Sequence, residues 1–485
     1  MRSLFISFLV FSLILVTGCG DDATSEPVRM DAQVFDLGMG PGGDGGAGGG
    51  GGNNGGPTEE HTRLSYIKSV TPRGMGTASV DLVIYDFEDD EEFNLTGGQG
   101  VVNCVSKLCR LNKDMTWIGW LEPDAVAGGF RLKVAPIDLR QKVVQIDRVR
   151  EVNDRVNSFD FTTFKLNPDD PNSEVVEELI YTRGQAMGSD GTIDVWVEPV
   201  AGASEEGCED APYRCRNLVG TVNANGGFRV TDSGSLIILI ETTLSTMTLK
   251  FYNLANTAQQ TLYTFGEQNM TGSQFSGRLP IALSPDATYL AVFTNDEFIW
   301  NLHTLQARPM PPEPGNHVLF EGRTHPQGDC RRMGDYYFNE VRFNPVFSSD
   351  SEWIYFLARG DCSRRGDPPT NRDDFDILRI NRNLDGAVEN VTNNLRASHW
   401  SNHDIGDFAL SPDGTKLVFT AERMNNVSSK SIWVINPEDG SYDCSRNDPL
   451  PVLDARERCE FVFDDRSGAD IVYRDLRFHK VQVPR

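Results

Sequence analysis

LSPDGTKLVFTAE, beginning at Leu410, and SIWVINPEDG, beginning at Ser431, are two apolar runs joined by a polar break. Pro412 presets φ near −65° for the first corner of a turn, Asp413 can bond the backbone ahead of it, and Gly414 can take the positive φ that a twisted hairpin needs. A strand therefore enters the Ser-Pro-Asp turn, a second strand of apolar and aromatic residues leaves it, and a third ends near Asn436. The same order recurs in LSPDATYLAVFTN from Leu283 and EFIWNLHT from Glu297, with Ala287 in the place of Gly414. From residue 61 onward there are no long amphipathic helical patterns, only short apolar or alternating runs bounded by Gly, Pro, Asn and Asp. The chain reads as all-β. Asp413 and Asp286 are turn formers rather than catalytic groups, because a turn aspartate satisfies local backbone.

Weaker copies extend the pattern. Second-strand candidates begin at Leu64, Trp117, Glu177, Leu236, Tyr289, Trp353, Lys416 and Cys459, and third-strand partners at Leu82, Leu132, Ile193, Thr248, Glu297, Asp376, Ser431 and Asp470. Residues 391–440 resemble the repeats of TolB-type propellers, whose blades combine SPDG, a strand such as KLVFTA and a strand such as IWVIN followed by D-G. The resemblance implies a β-propeller over residues 61–485, strongest in two blades. Eight strand pairs count as eight blades. Seven result if the first and last pairs complete one another, and six blades with extra strands is a third reading. Propellers often close by lending a strand from one terminus to the other, and RFHKVQV from Arg477 is placed to pair with LSYIKSV from Leu64.

The N-terminal stretch has a different logic. Arg2 is a positive n-region, residues 4–16 form a thirteen-residue apolar stretch, and Val16-Thr17-Gly18 places small residues before Cys19. Thirteen residues are too few to span a bilayer. The segment resembles the signal and lipobox of bacterial lipoproteins, which implies cleavage after residue 18 and a lipid on Cys19. Several acyl chains on one residue make a stable anchor. Gly20, rather than Asp, implies the outer membrane under the sorting rule of that family. Residues 19–60 hold thirteen glycines between Gly38 and Gly56 and almost no apolar periodicity, so they read as a lipidated cysteine followed by a flexible tether. The tether's root-mean-square reach is roughly 35 Å.

Composition restricts partners and compartment. Seventy acidic against 45 basic residues leave a net charge of −25, which repels nucleic acid and anionic lipid. Beyond Cys19, eight cysteines fall in chain order into neighbouring couples, Cys104/Cys109, Cys208/Cys215, Cys330/Cys362 and Cys444/Cys459, separated by 5, 7, 32 and 15 positions. They suit local disulfides of an oxidising compartment, and none has the C-x₂-C spacing of a zinc site.

Chemistry is sparse. No G-x-S-x-G elbow occurs, which argues against serine hydrolysis of the α/β-hydrolase kind. His399 and His403 stand four apart in HWSNH and, with His317 and His325, are candidates for a metal-holding histidine cluster at one channel mouth, although surface or loop packing is the better reading of them. The acidic runs at 87–92 and 167–171 lack the spacing of a calcium loop and read as exposed turns. No cofactor is implied. Two functions remain. One is a membrane-anchored propeller that binds an envelope protein or glycan. The other is a metal-assisted lyase or hydrolase acting on polysaccharide in the channel.

Overall fold

A computed structural model describes the chain from residue 58 to residue 484, leaving out residues 74–78, 98–101, 103, 105–108, 125–128, 166–174, 185–191, 204–213, 224–226, 231–235, 243–245, 254–258, 266–280, 287, 297–298, 307–316, 322–339, 360–374, 385–387, 393–404, 424–425, 439–459 and 463–468. Cys19 and nearly all of the tether lie outside the described residues, as do His325, His399, His403, Ala287, Cys208, Cys330, Cys362, Cys444 and Cys459.

The described residues form seven antiparallel sheets, numbered here as blades in chain order and given from the channel outward. Blade 1 joins Ala469–Pro484 to Thr58–Pro72, Ser79–Asp86 and Glu91–Asn94. Blade 2 is Cys109–Leu111, Trp117–Pro123, Phe130–Asp138 and Val143–Val144, with Arg150–Asn153 also on its outer side. Blade 3 is Val156–Lys165, Val175–Arg183, Thr192–Pro199 and Asn217–Asn223; blade 4 is Gly227–Val230, Leu236–Thr242, Met247–Asn253 and Gln259–Phe265. Blade 5 is Ile281–Leu283, Tyr289–Asp296, Ile299–Gln306 and His317–Glu321. Blade 6 is Glu340–Phe347, Trp353–Arg359, Phe375–Asn381 and Glu389–Asn390; blade 7 is Asp407–Leu410, Leu417–Arg423, Asn426–Ile435 and Glu460–Val462. Inner strands contact one another between blades 2 and 3, 3 and 4, 5 and 6, 6 and 7, and 7 and 1. The architecture is a seven-bladed β-propeller.

Seven blades replace the count of eight because the eighth strand pair belongs to two sheets. Glu460–Val462 pairs with Asn426–Ile435 as the outer edge of blade 7, while Ala469–Pro484 pairs with Thr58–Pro72 as the inner strand of blade 1. Hydrophobic pattern alone cannot tell two strands of one hairpin from two strands divided by a blade boundary. The closing strand does lie beside LSYIKSV: Leu64 faces Phe478 and Ser65 faces Arg477. Pairing also extends to Thr58, opposite Pro484, so three residues ahead of residue 61 belong to the sheet. Those three residues, Thr58, Glu59 and Glu60, are exposed. A ladder of backbone bonds does not need apolar side chains, and this is why the pattern missed them.

Each sheet is buried on both faces, which explains runs such as LIILIET that do not alternate. In blade 4, Ile237 and Leu239 pack with Ile180 and Val195 of blade 3, while Ile238 and Ile240 pack with Leu290 and Val292 of blade 5. Seven such apolar clusters, one at each blade interface, close the core; the last joins Leu64 and Tyr66 to Val418 and Ile432.

The turn chemistry is as read. Gly414 has φ +73°, Asp413 accepts the Thr415 N–H at 3.0 Å, and Ser411 Oγ accepts the Lys416 N–H at 2.8 Å. The turn recurs in two places where no proline or glycine marks it. In blade 6, Ser348 and Asp350 take the roles of Ser411 and Asp413, and Ser351 sits at φ +62°. In blade 2, Asn112 accepts the Trp117 N–H at 2.9 Å and Met115 sits at φ +56°. A Cβ on Gly414 would stand 2.6 Å from Ser349 Oγ, so the turns of neighbouring blades touch.

Candidate functional site in the channel

Charged side chains meet where the inner strands of blades 1 to 3 converge. Asp160, on the inner strand of blade 3, pairs with Arg110 of blade 2 and with Arg477 of blade 1, the latter at 3.4 Å between Nη1 and Oδ1. Asp160 also accepts the Phe161 N–H at 3.0 Å. Burial alone would raise its pKa. Arg110, then Arg477, the Phe161 N–H and the charge of Arg229 on the inner strand of blade 4 outweigh burial and hold the carboxyl below the ordinary aspartate value. Three arginines from three different blades thus act on one carboxylate.

Beside this group, Ser65, Arg110, Asp475 and Arg477 line a small cleft with Leu82, Cys109 and Leu111. A bulge shapes it. Ser65 pairs with Arg477 and Ile67 with Arg474, so Asp475 and Leu476 together oppose Tyr66, and Asp475 has φ +55°. Bulges of this kind re-aim side chains. A disulfide joins Cys104 to Cys109 at the cleft wall. Cys215 is buried and disulfide-bonded, with its partner outside the described residues.

Deeper in the interface of blades 1 and 2, Ser65 Oγ is 2.8 Å from His479 Nε2, and His479 Nδ1 is 3.3 Å from the Lys113 carbonyl. The carbonyl can only accept, so Nδ1 carries the proton and Ser65 donates to Nε2. Burial, with the Arg477 charge, pushes the His479 pKa down to about 4, so the ring is neutral near pH 7. Ser65 and His479 are 3% and 4% exposed.

Further along the same face, Asp86 accepts from Arg63 Nε at 2.7 Å and lies 3.0 Å from His61 Nδ1. His61, Asp86 and Asp89 bring ligand atoms within 4.8 Å of one another, as a cation site would require. Burial would raise the Asp86 pKa, but the bonds from Arg63 and His61 bring it below the ordinary range. With a buried guanidinium already on the carboxylate, the group reads as an ion-paired clasp on the closing blade. Sequence reasoning missed it because His61 and Arg63 fall at the tether boundary. Their signal is the two-residue spacing that puts both on one face of a strand.

Of the four histidines expected to cluster at one channel mouth, His317 alone lies among the described residues. That residue begins the outermost strand of blade 5, opposite Leu305, instead of standing on a loop at the channel mouth. HVLFE has the β-branched and aromatic content of a strand, and the edge of the sheet took it up. The acidic run at 87–92 is a turn over residues 87–90 that leads into the outer strand of blade 1, as the turn reading had it. No described helix is long and apolar enough to cross a membrane.

Fold and site together define a class: a propeller closed by both chain ends, with an ion-paired channel. No protein-family model and no characterised protein sequence matches the chain. Solved structures do. TolB from Acinetobacter baumannii is 10% identical, with 77% of this chain and 78% of that chain covered at a TM-score of 0.35. The β-propeller domain of the trilobed protease from Pyrococcus furiosus is 8% identical over 67% and 78%, at 0.39. An oligogalacturonate lyase in complex with manganese is 10% identical over 67% and 70%, at 0.36. The likeness is one of fold.

Proposed function

We propose that this chain is a lipid-anchored outer-membrane lipoprotein of the bacterial cell envelope whose propeller binds an envelope protein or glycan. The observation that carries the binding half is the channel. Arg110, Asp160, Arg229 and Arg477 come from four successive blades, and each lies on an inner strand. Charged groups held on rigid strands are the ordinary equipment of a recognition site. The anchoring half rests on the apolar stretch from Leu4 to Val16, the small residues ahead of Cys19, and the glycine-rich tether after it. Replacing Cys19 by Ser should release the protein from membranes while leaving the propeller folded, because the tether insulates it. If an exported Cys19→Ser protein sedimented with membranes as before, lipid anchoring would be wrong. The soluble variant should also bind saturably to envelopes from cells lacking the protein. Linear, non-competable binding would remove the module reading.

A second reading, hydrolysis in the channel, is favoured by one contact. Ser65 donating to His479 Nε2, with Nδ1 turned to a carbonyl, is the arrangement of a nucleophile and its base. A base pushed down to about pKa 4 is weak, and the serine is almost fully buried, so binding is the better-supported reading. Labelling by a fluorophosphonate probe, abolished in Ser65→Ala, would reverse that order.

A further inference from the structure

We propose that the outer strand of blade 3, Asn217–Asn223, pairs edge to edge with the same strand of a second copy of this chain, so that two propellers dimerise through one continuous sheet. This goes beyond the binding reading above, since the surface lies away from the channel and does not depend on what the channel holds.

An outer strand presents a row of backbone N–H and C=O groups with no neighbouring strand, and proteins guard such rows with short strands or charged side chains. Five blades are guarded in this way. Among the described residues, the outer strands of blades 1, 5, 6 and 7 are Glu91–Asn94, His317–Glu321, Glu389–Asn390 and Glu460–Val462, each with at least one glutamate and none longer than five residues. Blade 2 ends in the short strands Val143–Val144 and Arg150–Asn153, the second of which holds Arg150 and Glu151. Blades 3 and 4 differ. Their outer strands, NLVGTVN over Asn217–Asn223 and QQTLYTF over Gln259–Phe265, have 7 residues each and no charge, in a chain whose net charge is −25. Blade 3 adds an apolar contact. Leu218 is 49% exposed, one of four large apolar side chains left exposed among the described residues, and Thr221 beside it is exposed too.

Neutrality identifies the occupant. When a strand pairs antiparallel with its own copy about a two-fold axis, side chains near the axis face their own kind. An acidic edge would set glutamate against glutamate, which is destabilising, whereas a neutral edge meets no such cost. A foreign strand imposes no such requirement, because a charged edge can be matched by opposite charge. One feature weakens the pairing. Val195 faces Gly220 while Trp196 faces Leu218, so Val219 is the extra residue of a bulge, and bulges twist an edge and hinder its pairing. The dimer is therefore weak in free solution and is favoured where copies are tethered to one surface, which raises their effective concentration.

The test uses residues 20–485 with an N-terminal polyhistidine tag, held on phosphatidylcholine vesicles that contain a nickel-chelating lipid, so that confinement does not depend on lipid at Cys19. Photoreactive benzoylphenylalanine in place of Leu218 reports contact. Illumination should give a cross-linked species of twice the monomer mass, and the same probe in place of Thr261, on the outer strand of blade 4, should give much less. With the probe at Leu218, Thr221→Glu and Thr221→Lys should each reduce the dimer at least about tenfold, because like charges then meet near the axis. Their melting temperatures should match the parent's, since Thr221 is exposed. An equal mixture of the two variants should restore the dimer, and that rescue separates self-pairing from adhesion of any other kind. Absence of a cross-linked dimer on the vesicles would overturn the proposal. So would a dimer that survives both charges, a mixture that stays monomeric, or a dimer reported from Thr261 alone. If envelope binding fails while the charge-swapped pair dimerises, only the module reading falls.

Discussion

Blades 1 and 7 are neighbours in the ring and are held together by opposite means. Blade 7 is consecutive chain, and its inner hairpin is defined by a turn of six residues from Ser411 to Lys416 whose hydrogen bonds are all local. Blade 1 takes its inner strand from residues 469–484, more than 390 positions away from the strand it pairs with. No turn can set that register. Across the closure Ser65 bonds His479 instead, and beside it on the same face Arg63 bonds Asp86 of the adjoining strand, with the guanidinium 5.6 Å above the Phe93 ring. Contiguous hairpins can rely on turn chemistry. A junction between the chain's two ends needs directional contacts that are lost if the strands slip by one residue.

The sharpest way to break this comparison is to remove one acid from each blade. Asp86 is fully buried between Arg63 and His61, so Asp86→Ala should cost about 3–5 kcal/mol, the usual loss when one partner of a buried pair is deleted. Asp413 is exposed and serves only its turn, and Asp413→Ala should cost about 1 kcal/mol. Equilibrium urea unfolding of the two variants gives the ratio, and equal losses would mean that the closing blade has no special dependence on its polar contacts.

Blade 3 offers a control in which a buried acid has no such network. Glu178 is 1% exposed, stands opposite Thr162 and Pro199, and leaves Oε1 without a hydrogen bond. Burial, and then the charge of Glu198, push its pKa up to about 9. Below about pH 4.5 the carboxyl is protonated in both states. Between about 4.5 and 9 the folded state holds a proton that the unfolded state has lost, so its contribution to stability declines as pH rises through that window. Glu178→Gln should remove this slope, leaving stability near pH 4.5 about unchanged and adding on the order of 5 kcal/mol at pH 8. Unfolding curves collected across that range test it, and wild-type and variant profiles that run parallel would mean that Glu178 is not the titrating group.

The smallest effect concerns the turns alone. Ser351 holds φ +62° in the place where blade 7 has Gly414 at +73°. Ser351→Gly should relieve up to about 1 kcal/mol of backbone strain but lose the buried Ser351 hydrogen bond to Asp286, so its net effect should be close to zero, whereas Gly414→Ala should destabilise blade 7 by about 1 kcal/mol or more, because its Cβ would also press on Ser349. Differential scanning calorimetry should register a clear fall in melting temperature for Gly414→Ala and little change for Ser351→Gly. Equal falls would mean that the positive φ at Ser351 carries no strain.

How much could be read in advance follows from the same contrast. The turn residues Ser411, Pro412, Asp413 and Gly414 and the apolar strands after them announced the blades, because turn and strand preferences act within a few residues. The turns at Asn112 and Ser348 went unnoticed, since nothing forbids Met115 or Ser351 from holding a positive φ when the surrounding sheet imposes it. Of the channel site almost nothing was legible. Arg110, Asp160, Arg229 and Arg477 are ordinary charged residues in strands, hundreds of positions apart at the extremes, and only the curvature of the ring brings them together.

The sequence by itself determined the all-β class, the turn at each well-marked hairpin and the resemblance to propeller repeats, because each is written in neighbouring residues and in composition. Tertiary structure alone decided that there are seven blades and not eight, that residues 469–484 close blade 1, that Asp86 and His479 are buried polar anchors, and that three arginines share one aspartate. These depend on which sheet a strand joins and what stands across the channel from it. Pattern and propensity do not encode either, because both are settled by packing between elements that lie far apart along the chain.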